Sequence, residues 1–273
     1  MIACGIDVGA RTAKVVLVDS ATQRIVGKAI AEERIDQNQV SRRLLDQALE
    51  EAGARPDDVG RTIATGYGRE RISLADDTVT EISCHARGVA ATHPDARTII
   101  EIGGQDSKVI KLNGDGRVRD FVMNDRCAAG TGRFFEIAAQ ILETDLEGFE
   151  RLASQSLRPE IVSSMCVLFA ESEMVGLLAR GAAPADIAAG VHASVADRIA
   201  GMAGQRWEPP VVFTGGVALL RTMVEFLQTR LRCDLVVPQW PQFTGAYGAA
   251  LIACERMGGA LDHLAHDSRP ARG

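Results

Sequence analysis

Two short stretches of this sequence combine glycines with a carboxylate and a lysine at the same spacing. The first, IDVGARTAKVV, covers residues 6–16, and the second, IEIGGQDSKVI, covers residues 100–110. They share Ile, Gly, Lys and Val positions, and Asp7 of the first aligns with Glu101 of the second. Glycine lets backbone N–H groups approach phosphate oxygens, and a concave set of such donors binds anions. The repeat therefore favours two related sites for a polyphosphate.

The polar residues of these two stretches have the types that bind magnesium and phosphate. Asp7 and Asp106 are suited to hold Mg²⁺ through its waters, and Lys14, Arg11 and Lys108 can offset phosphate charge. The alternative is that the glycines only make tight hairpins with solvated lysines, which one copy alone would favour and the duplication argues against. The candidate nucleotide-binding residues here are Asp7, Gly9, Ala10, Arg11, Thr12, Lys14, Gly103, Gly104, Gln105 and Asp106.

A third glycine site follows an apolar strand pattern in FTGGVALLRTMVEFL, residues 213–227. A nucleotide base or ribose can lie against a glycine pair because no side chain blocks it. An ordinary strand-to-helix turn explains this segment equally well when it is taken alone. We add Gly215, Gly216 and Gln242 to the candidate nucleotide-binding residues.

The hydrophobic pattern places both tips on hairpins that open two equivalent units of an α/β protein. Residues 1–19 predict two strands, residues 24–35 predict a third, and residues 41–53 have helical spacing. The same β-β-β-α order restarts at residue 98, with a helix from about Ala128. The predicted organisation is a first lobe (1–95), a second lobe (96–243), a C-terminal helix (244–258) that packs back on the first lobe, and a tail (259–273).

Length and composition are typical of a folded protein with two lobes. The chain has 273 residues, of which 46% are hydrophobic and 24% are charged. A net charge of −6 provides no basic surplus for a phosphate backbone, so we expect no nucleic-acid partner. The sequence shows neither a run of eighteen apolar residues nor a signal-peptide pattern, so we expect no membrane association and a cytoplasmic location.

Six cysteines without CxxC spacing argue against a disulfide framework. Cys127 in NDRCAAGTGRF and Cys166 in SSMCVLFAESE are each predicted at the start of a helix, where a thiolate is stabilised by about 0.3–1 kcal/mol. Two thiolates are half of a four-cysteine site that a two-fold dimer would complete, which suits an iron–sulfur cluster or, chemically, zinc. Burial as a small apolar residue is the alternative for both, and it is the interpretation for Cys4, Cys84, Cys233 and Cys254.

Several motifs together resemble known families. DVGxxxxK, IGGQDxK and FTGG resemble the phosphate-1, phosphate-2 and adenosine motifs of the actin, hexokinase and Hsp70 ATPase superfamily, which implies two RNase H-like lobes with Mg-ATP between them. More specifically, the chain resembles the activator ATPases of (R)-2-hydroxyacyl-CoA dehydratases and the ATP-binding subunits of benzoyl-CoA reductases. The segments that carry this resemblance are NDRCAAGTGRFFE, SSMCVLFAESE, ATGYGR, ISCHARG, EIGGQDSKVI, TGGVA and GAYGAALIA, between Gly5 and about Cys254.

The resemblance implies an oxygen-sensitive homodimer with one 4Fe-4S cluster bridged by Cys127 and Cys166 of each subunit. It further implies reduction by ferredoxin or flavodoxin and ATP-driven delivery of one electron to a dehydratase or reductase that acts on an acyl-CoA. The IGGQD tip favours the dehydratase activator over the reductase subunit. Hydrolysis would use a water positioned by Gln105 and Asp106 rather than a strong base.

Two other functions stay open on the sequence alone. A small-molecule kinase of the same superfamily would need a substrate pocket, and the chain has little room for the usual kinase insertions. An ATP-binding sensor or assembly module would have no need of paired thiolates.

Overall fold

The computed structural model describes residues 1–32, 36–162, 167–204 and 207–266. In that part of the chain the strands are β1 (Ile2–Val8), β2 (Thr12–Asp19), β3 (Ile25–Glu32), β4 (Val59–Thr65), β5 (Asp77–Thr78), β6 (Thr98–Ile102), β7 (Ser107–Leu112), β8 (Val118–Asn124), β9 (Val211–Thr214) and β10 (Leu235–Val236). The helices are α1 (Gln37–Ala52), α2 (Glu81–Thr92), α3 (Gly132–Ile141), α4 (Leu146–Ser154), α5 (Val167–Ala179), α6 (Pro184–Met202), α7 (Arg221–Leu231) and α8 (Thr244–His266). None of the helices described is long and apolar enough to cross a membrane.

The two sheets have one topology. The first sheet has the order β3-β2-β1-β4-β5, and the second has the order β10-β9-β6-β7-β8, which is the same order read from the opposite edge. β1 pairs antiparallel with β2 and parallel with β4, and β6 pairs antiparallel with β7 and parallel with β9. The predicted duplication of the chain is confirmed at the level of strand order and direction.

Among the described residues, the first compact unit consists of Met1–Ala91 and the segment from Phe243 to His266. Its sheet has a helix on each face: α8 packs against β1, β4 and β2, and α1 packs against β3 and β2. Alternate residues of β1 divide between the two faces, with Ala3 in the cluster around α8 and Cys4 in the cluster around α1. α1 begins earlier than the sequence pattern predicts, because the Asp36 side chain accepts a hydrogen bond from Gln39 N and caps the helix.

The second compact unit, Thr92–Gln242, differs from the first by additional helices between β8 and β9. α4 packs on α6, and α6 packs on α7, so that these helices enclose a second apolar core. The hydrophobic pattern of the sequence did not predict α4. It also placed the start of α3 too early, since the chain adopts a left-handed conformation at Gly130, with φ of +84°, before the helix begins at Gly132.

His192 lies fully buried in the core of the second unit. Its ring stacks on Phe149 with a centroid distance of 5.4 Å and contacts Phe135 at 5.1 Å and Phe226 at 5.5 Å. Nδ1 lies 2.9 Å from the Ala188 carbonyl oxygen, whereas Nε2 has no hydrogen-bond partner among the described residues. Burial lowers the pKa of His192 to about 4, so the ring is neutral in the folded protein.

We expect His192 to destabilise the fold in acid. An unfolded histidine takes up a proton below pH ~6.5, whereas the folded pKa is about 4. Above pH ~6.5 the titration of His192 therefore leaves the free energy of unfolding unchanged. Between pH ~6.5 and the folded pKa of about 4, it lowers the free energy of unfolding by ~1.4 kcal/mol per pH unit, or about 2 kcal/mol from pH 7 to pH 5. Urea unfolding of wild type and His192→Phe at both pH values measures this difference. Equal pH dependence in the two proteins would contradict it.

Candidate functional site

The first glycine tip connects β1 to β2 and brings a carboxylate and a lysine together. Asp7 and Lys14 are register partners on the two strands, and Gly9 N donates to Thr12 O at 3.1 Å to close the turn. Lys14 Nζ lies 3.6 Å from Asp7 Oδ2 and donates to Thr12 O at 3.4 Å. Asp7 is only 7% exposed, so the hairpin presents a nearly buried carboxylate at its open end.

The second tip repeats this arrangement with a tighter ion pair. Glu101 and Lys108 are register partners, and Gly103 N donates to Asp106 O at 3.0 Å. Lys108 Nζ donates to Glu101 Oε2 at 2.7 Å and to Asp106 Oδ2 at 2.6 Å. Lys108 is 1% exposed, so the alternative of a solvated lysine is wrong. Because two carboxylates already neutralise its charge, the structure disfavours the expected role of Lys108 against phosphate.

The strand beside each hairpin ends in a threonine that is followed by a glycine, a part of the repeat that the sequence pattern did not predict. The cross-strand partners are Asp7 with Thr65 and Glu101 with Thr214. Gly66 and Gly215 follow these threonines and have left-handed φ values of +86° and +89°. A Cβ on Gly66 would lie 2.5 Å from Asp7 Oδ1, and one on Gly215 would lie 2.8 Å from Glu101 Oε1. Each glycine therefore allows the backbone to pass directly against the acidic side chain.

The predicted Gly215–Gly216 site and Gln242 lie together in the second unit. Gly215 N donates to Pro241 O at 2.9 Å, which places the segment before Gln242 beside the glycine pair. Gln242 Nε2 is 3.7 Å from the position that a Cβ on Gly216 would occupy. Gly216 is exposed and Gln242 is half-buried, so both are accessible to a ligand.

The remaining candidate residues occupy the two tips as the sequence predicts. Ala10 and Gln105 are exposed, whereas Arg11, Thr12 and Asp106 are half-buried. The second tip is braced by the start of α3: the backbone N–H groups of residues 132 and 133 donate to the carbonyl oxygens of residues 103 and 104, both at 2.8 Å. This contact fixes the position of the second tip relative to the loop that precedes α3.

That loop contains Cys127. Asn124 Nδ2 donates to Cys127 O at 2.8 Å and to Ala129 O at 3.2 Å, and Thr131 Oγ1 donates to Ala128 O at 2.7 Å. The acceptors of these hydrogen bonds are backbone carbonyl oxygens, not the Cys127 sulfur. The cysteine is half-buried and packs at the edge of the apolar core of the second unit.

The predicted position of Cys127 at a helix start is wrong. α3 begins at Gly132, and its first N–H groups donate to the second tip rather than towards the cysteine. The helix dipole acts over the first turn, so it does not account for a thiolate at this position. Cys166 lies outside the described residues. Among the residues that are described, no group of three or more His, Cys, Asp or Glu side chains forms a metal site.

The other cysteines are consistent with small apolar residues. Cys4, Cys84 and Cys254 are buried, and Cys233 is half-buried against the core of the second unit. Burial raises the pKa of the Cys4 thiol and of the Cys84 thiol to about 12, which keeps both protonated at neutral pH.

Comparison with known proteins identifies the family. Residues 4–253 match the BadF/BadG/BcrA/BcrD ATPase family. The chain belongs to this family. It is 44% identical over 260 residues to the activator of lactoyl-CoA dehydratase from Anaerotignum propionicum, covering 93% of this chain and 98% of that protein. It is 32% identical over 262 residues to one of the benzoyl-CoA reductase subunits from Thauera aromatica, covering 92% of each chain.

A solved structure of this ATPase family confirms the fold. The activator of 2-hydroxyisocaproyl-CoA dehydratase from Clostridium difficile, with bound ADPNP, has a TM-score of 0.90 and 36% identity and covers 100% of both chains. The predicted fold class, two duplicated RNase H-like units of the actin, hexokinase and Hsp70 type, is therefore confirmed.

Proposed function

We propose that this protein binds Mg-ATP and that, as a homodimer carrying one 4Fe-4S cluster, it uses ATP hydrolysis to deliver one electron to a 2-hydroxyacyl-CoA dehydratase. The observation that carries the proposal is the near full-length similarity to the activator of lactoyl-CoA dehydratase. The geometry of the two tips and of the Cys127 loop supports it.

The first tip fits a hydrated magnesium ion with phosphate. Asp7 is held at the end of β1 with little exposure, as a carboxylate that binds Mg²⁺ through its waters needs to be. Lys14 is close enough at 3.6 Å to orient Asp7 without a tight ion pair. Gly9 to Thr12 provide the turn around the phosphates, with Arg11 as an additional cation.

The second tip fits the positioning of a water molecule. Gln105 is exposed at the turn and can hydrogen-bond to water through its amide. Asp106 is ion-paired with Lys108 at 2.6 Å, so its carboxylate is already engaged by a cation. Gln105 and Asp106 would therefore orient the attacking water rather than abstract its proton.

The Cys127 loop fits one half of a cluster shared between two chains. Each chain would contribute Cys127 and Cys166, and a two-fold partner would supply the other two thiolates. Large apolar side chains are exposed near both cysteines in the sequence: Phe121, Val122 and Met123 precede Cys127, and Leu157, Ile161 and Phe169 flank Cys166. Exposed apolar surface of this kind is typical of an interface, here with a second copy. A cluster held there would supply the single electron.

The physiological reductant is proposed to be ferredoxin or flavodoxin, and the protein should be handled without oxygen. A role as the ATP-hydrolysing component of a benzoyl-CoA reductase is the second candidate, since the chain is also similar to the reductase protein from Thauera aromatica. The higher identity to the dehydratase activator favours the first.

An activation assay tests the proposal. The anaerobic protein, reduced with dithionite, is mixed with lactoyl-CoA dehydratase and lactoyl-CoA, with ATP or with a non-hydrolysable analogue. We expect the unsaturated acyl-CoA to form only when both the protein and ATP are present. Equal dehydration with the analogue would contradict the role of hydrolysis.

A further inference from the structure

His85 is a buried histidine that the candidate site does not include. It lies on α2 and is 5% exposed. Its Nδ1 is 2.9 Å from the hydroxyl oxygen of Thr244, the first residue of α8, which is also 5% exposed. The ring is therefore oriented by a side chain that lies far from it in the sequence.

The other ring nitrogen and one Asp7 oxygen both lie close to Gly245. His85 Nε2 and Asp7 Oδ2 lie 3.2 Å and 3.1 Å from the position that a Cβ on Gly245 would occupy, so the two atoms flank one point. Such contacts would be crowded for any side chain at residue 245, and glycine lets the imidazole and the carboxylate share this space. When Nδ1 accepts a hydrogen bond from the Thr244 hydroxyl, the ring hydrogen is on Nε2, the nitrogen that lies beside Gly245 and near Asp7.

Close packing of α2 against α8 holds this arrangement. A Cβ on Gly248 would lie 1.8 Å from Cys84 O, and a Cβ on Gly88 would lie 2.2 Å from Thr244 O. The two helix backbones therefore touch on both sides of His85 along α2. This close contact leaves the imidazole little room to move between the two helices.

Asp7 itself is contacted from several directions. Gly66 lies against its Oδ1, and Lys14 Nζ is 3.6 Å from its Oδ2, the same oxygen that faces the point shared with His85. This ion pair is longer than the 2.7 Å bond between Lys108 and Glu101 in the second unit. Asp7 is therefore oriented by its neighbours but does not form a short ion pair like that of Glu101. Its carboxylate remains able to bind a hydrated cation.

We propose that His85 is a positioning residue for Asp7: its ring, oriented by Thr244, holds the carboxylate in the orientation that binds the hydrated Mg²⁺ of the nucleotide. Outer hydrogen-bond partners of carboxylates at metal sites act in this way. The inference rests on the proposed ATP-binding function, but it does not depend on the cluster.

The test measures Mg²⁺ dependence in His85→Ala, His85→Gln and Thr244→Val. Calorimetry gives the affinity for ATP in EDTA and the affinity for ADPNP with Mg²⁺, and steady-state ATP hydrolysis gives the Mg²⁺ concentration for half-maximal rate. We expect His85→Ala to raise that concentration roughly tenfold or more. Thr244→Val should act in the same direction by less, and His85→Gln should recover part of the loss. ATP affinity in EDTA should stay at the wild-type value in all three.

His93→Ala is the matched control, because His93 is half-exposed just after α2 and bonds to Thr92. His85→Ala with wild-type Mg²⁺ dependence would overturn the inference and leave the proposed function standing. Equal losses of nucleotide affinity with and without Mg²⁺ would indicate a structural role and would also overturn it. If His85→Ala does not fold, Thr244→Val and His85→Gln decide by the same criteria. A wild-type protein that binds no Mg-ATP would overturn the proposed function itself, and this inference with it.

Discussion

Replacing Cys127 with serine is expected to remove all cluster iron from the protein while ATP hydrolysis continues. In a homodimer this one substitution removes two of the four proposed thiolate ligands at once. The loop around residue 127 is held through backbone carbonyls by Asn124, so serine should leave its conformation intact. Iron and sulfide analysis and visible absorption of the anaerobic protein measure the loss, and phosphate release measures hydrolysis.

Cys233→Ser is the matched control for this prediction. Cys233 is also half-buried and packs against the same apolar core, but it lies in a different part of the second unit. The control should retain wild-type iron. If Cys127→Ser also retains it, this cysteine is not a ligand and the cluster proposal fails.

Replacing Lys108 with methionine is expected to lower the free energy of unfolding by about 3–5 kcal/mol. The ammonium group is the partner of Glu101 at 2.7 Å and of Asp106 at 2.6 Å, and Glu101 is 5% exposed. Without Lys108 the Glu101 carboxylate would be buried next to a second carboxylate with no cation between them. Urea unfolding at neutral pH measures the change.

Two further variants separate the charge effect from packing. Glu101→Gln in the Lys108→Met background removes the uncompensated charge and should recover most of the lost stability. Lys111→Met changes the same residue type on β7 at a half-exposed position and should shift stability by no more than about 0.5 kcal/mol. A wild-type free energy of unfolding in Lys108→Met would show that the buried ion pairs do not stabilise the fold.

The duplicated hairpins could be predicted because their signal is local. Strand alternation, a glycine turn, and an acid and a lysine at fixed spacing together specify a register, and the structure pairs Asp7 with Lys14 and Glu101 with Lys108. The end of α1 at Gly53 is also local, since the residue adopts the left-handed conformation with φ of +61°. Such features depend on a few adjacent residues.

The parts that the sequence did not predict depend on contacts between distant residues. Gly66 and Gly215 are equivalent by their place beside the acidic residue, but α4, α5 and α6 are inserted before one of them, so their sequence spacings differ. Lys108 can be buried only because two carboxylates, those of Glu101 and Asp106, lie around it. Single-residue propensities do not predict this arrangement. His85 becomes relevant only because α8 returns to the first unit and brings Thr244 against it.

The two copies of the hairpin have diverged in their electrostatics. In the first, the lysine lies 3.6 Å from a nearly buried aspartate, and in the second, the lysine is enclosed by two carboxylates. A common backbone thus carries one carboxylate available to a hydrated cation and one that is fixed in an ion pair. Because of this difference, we propose that Mg²⁺ binds at the first tip and that the second tip positions the water.

Iron and sulfide analysis of the anaerobically purified wild-type protein, combined with the mass of the assembly in solution, tests the central claim most directly. We predict a dimer with about two iron atoms and two sulfides per chain, which corresponds to one 4Fe-4S cluster shared by two copies. A protein that is free of iron under strict anaerobic conditions, yet still hydrolyses ATP, would contradict the account and favour a nucleotide sensor without redox function.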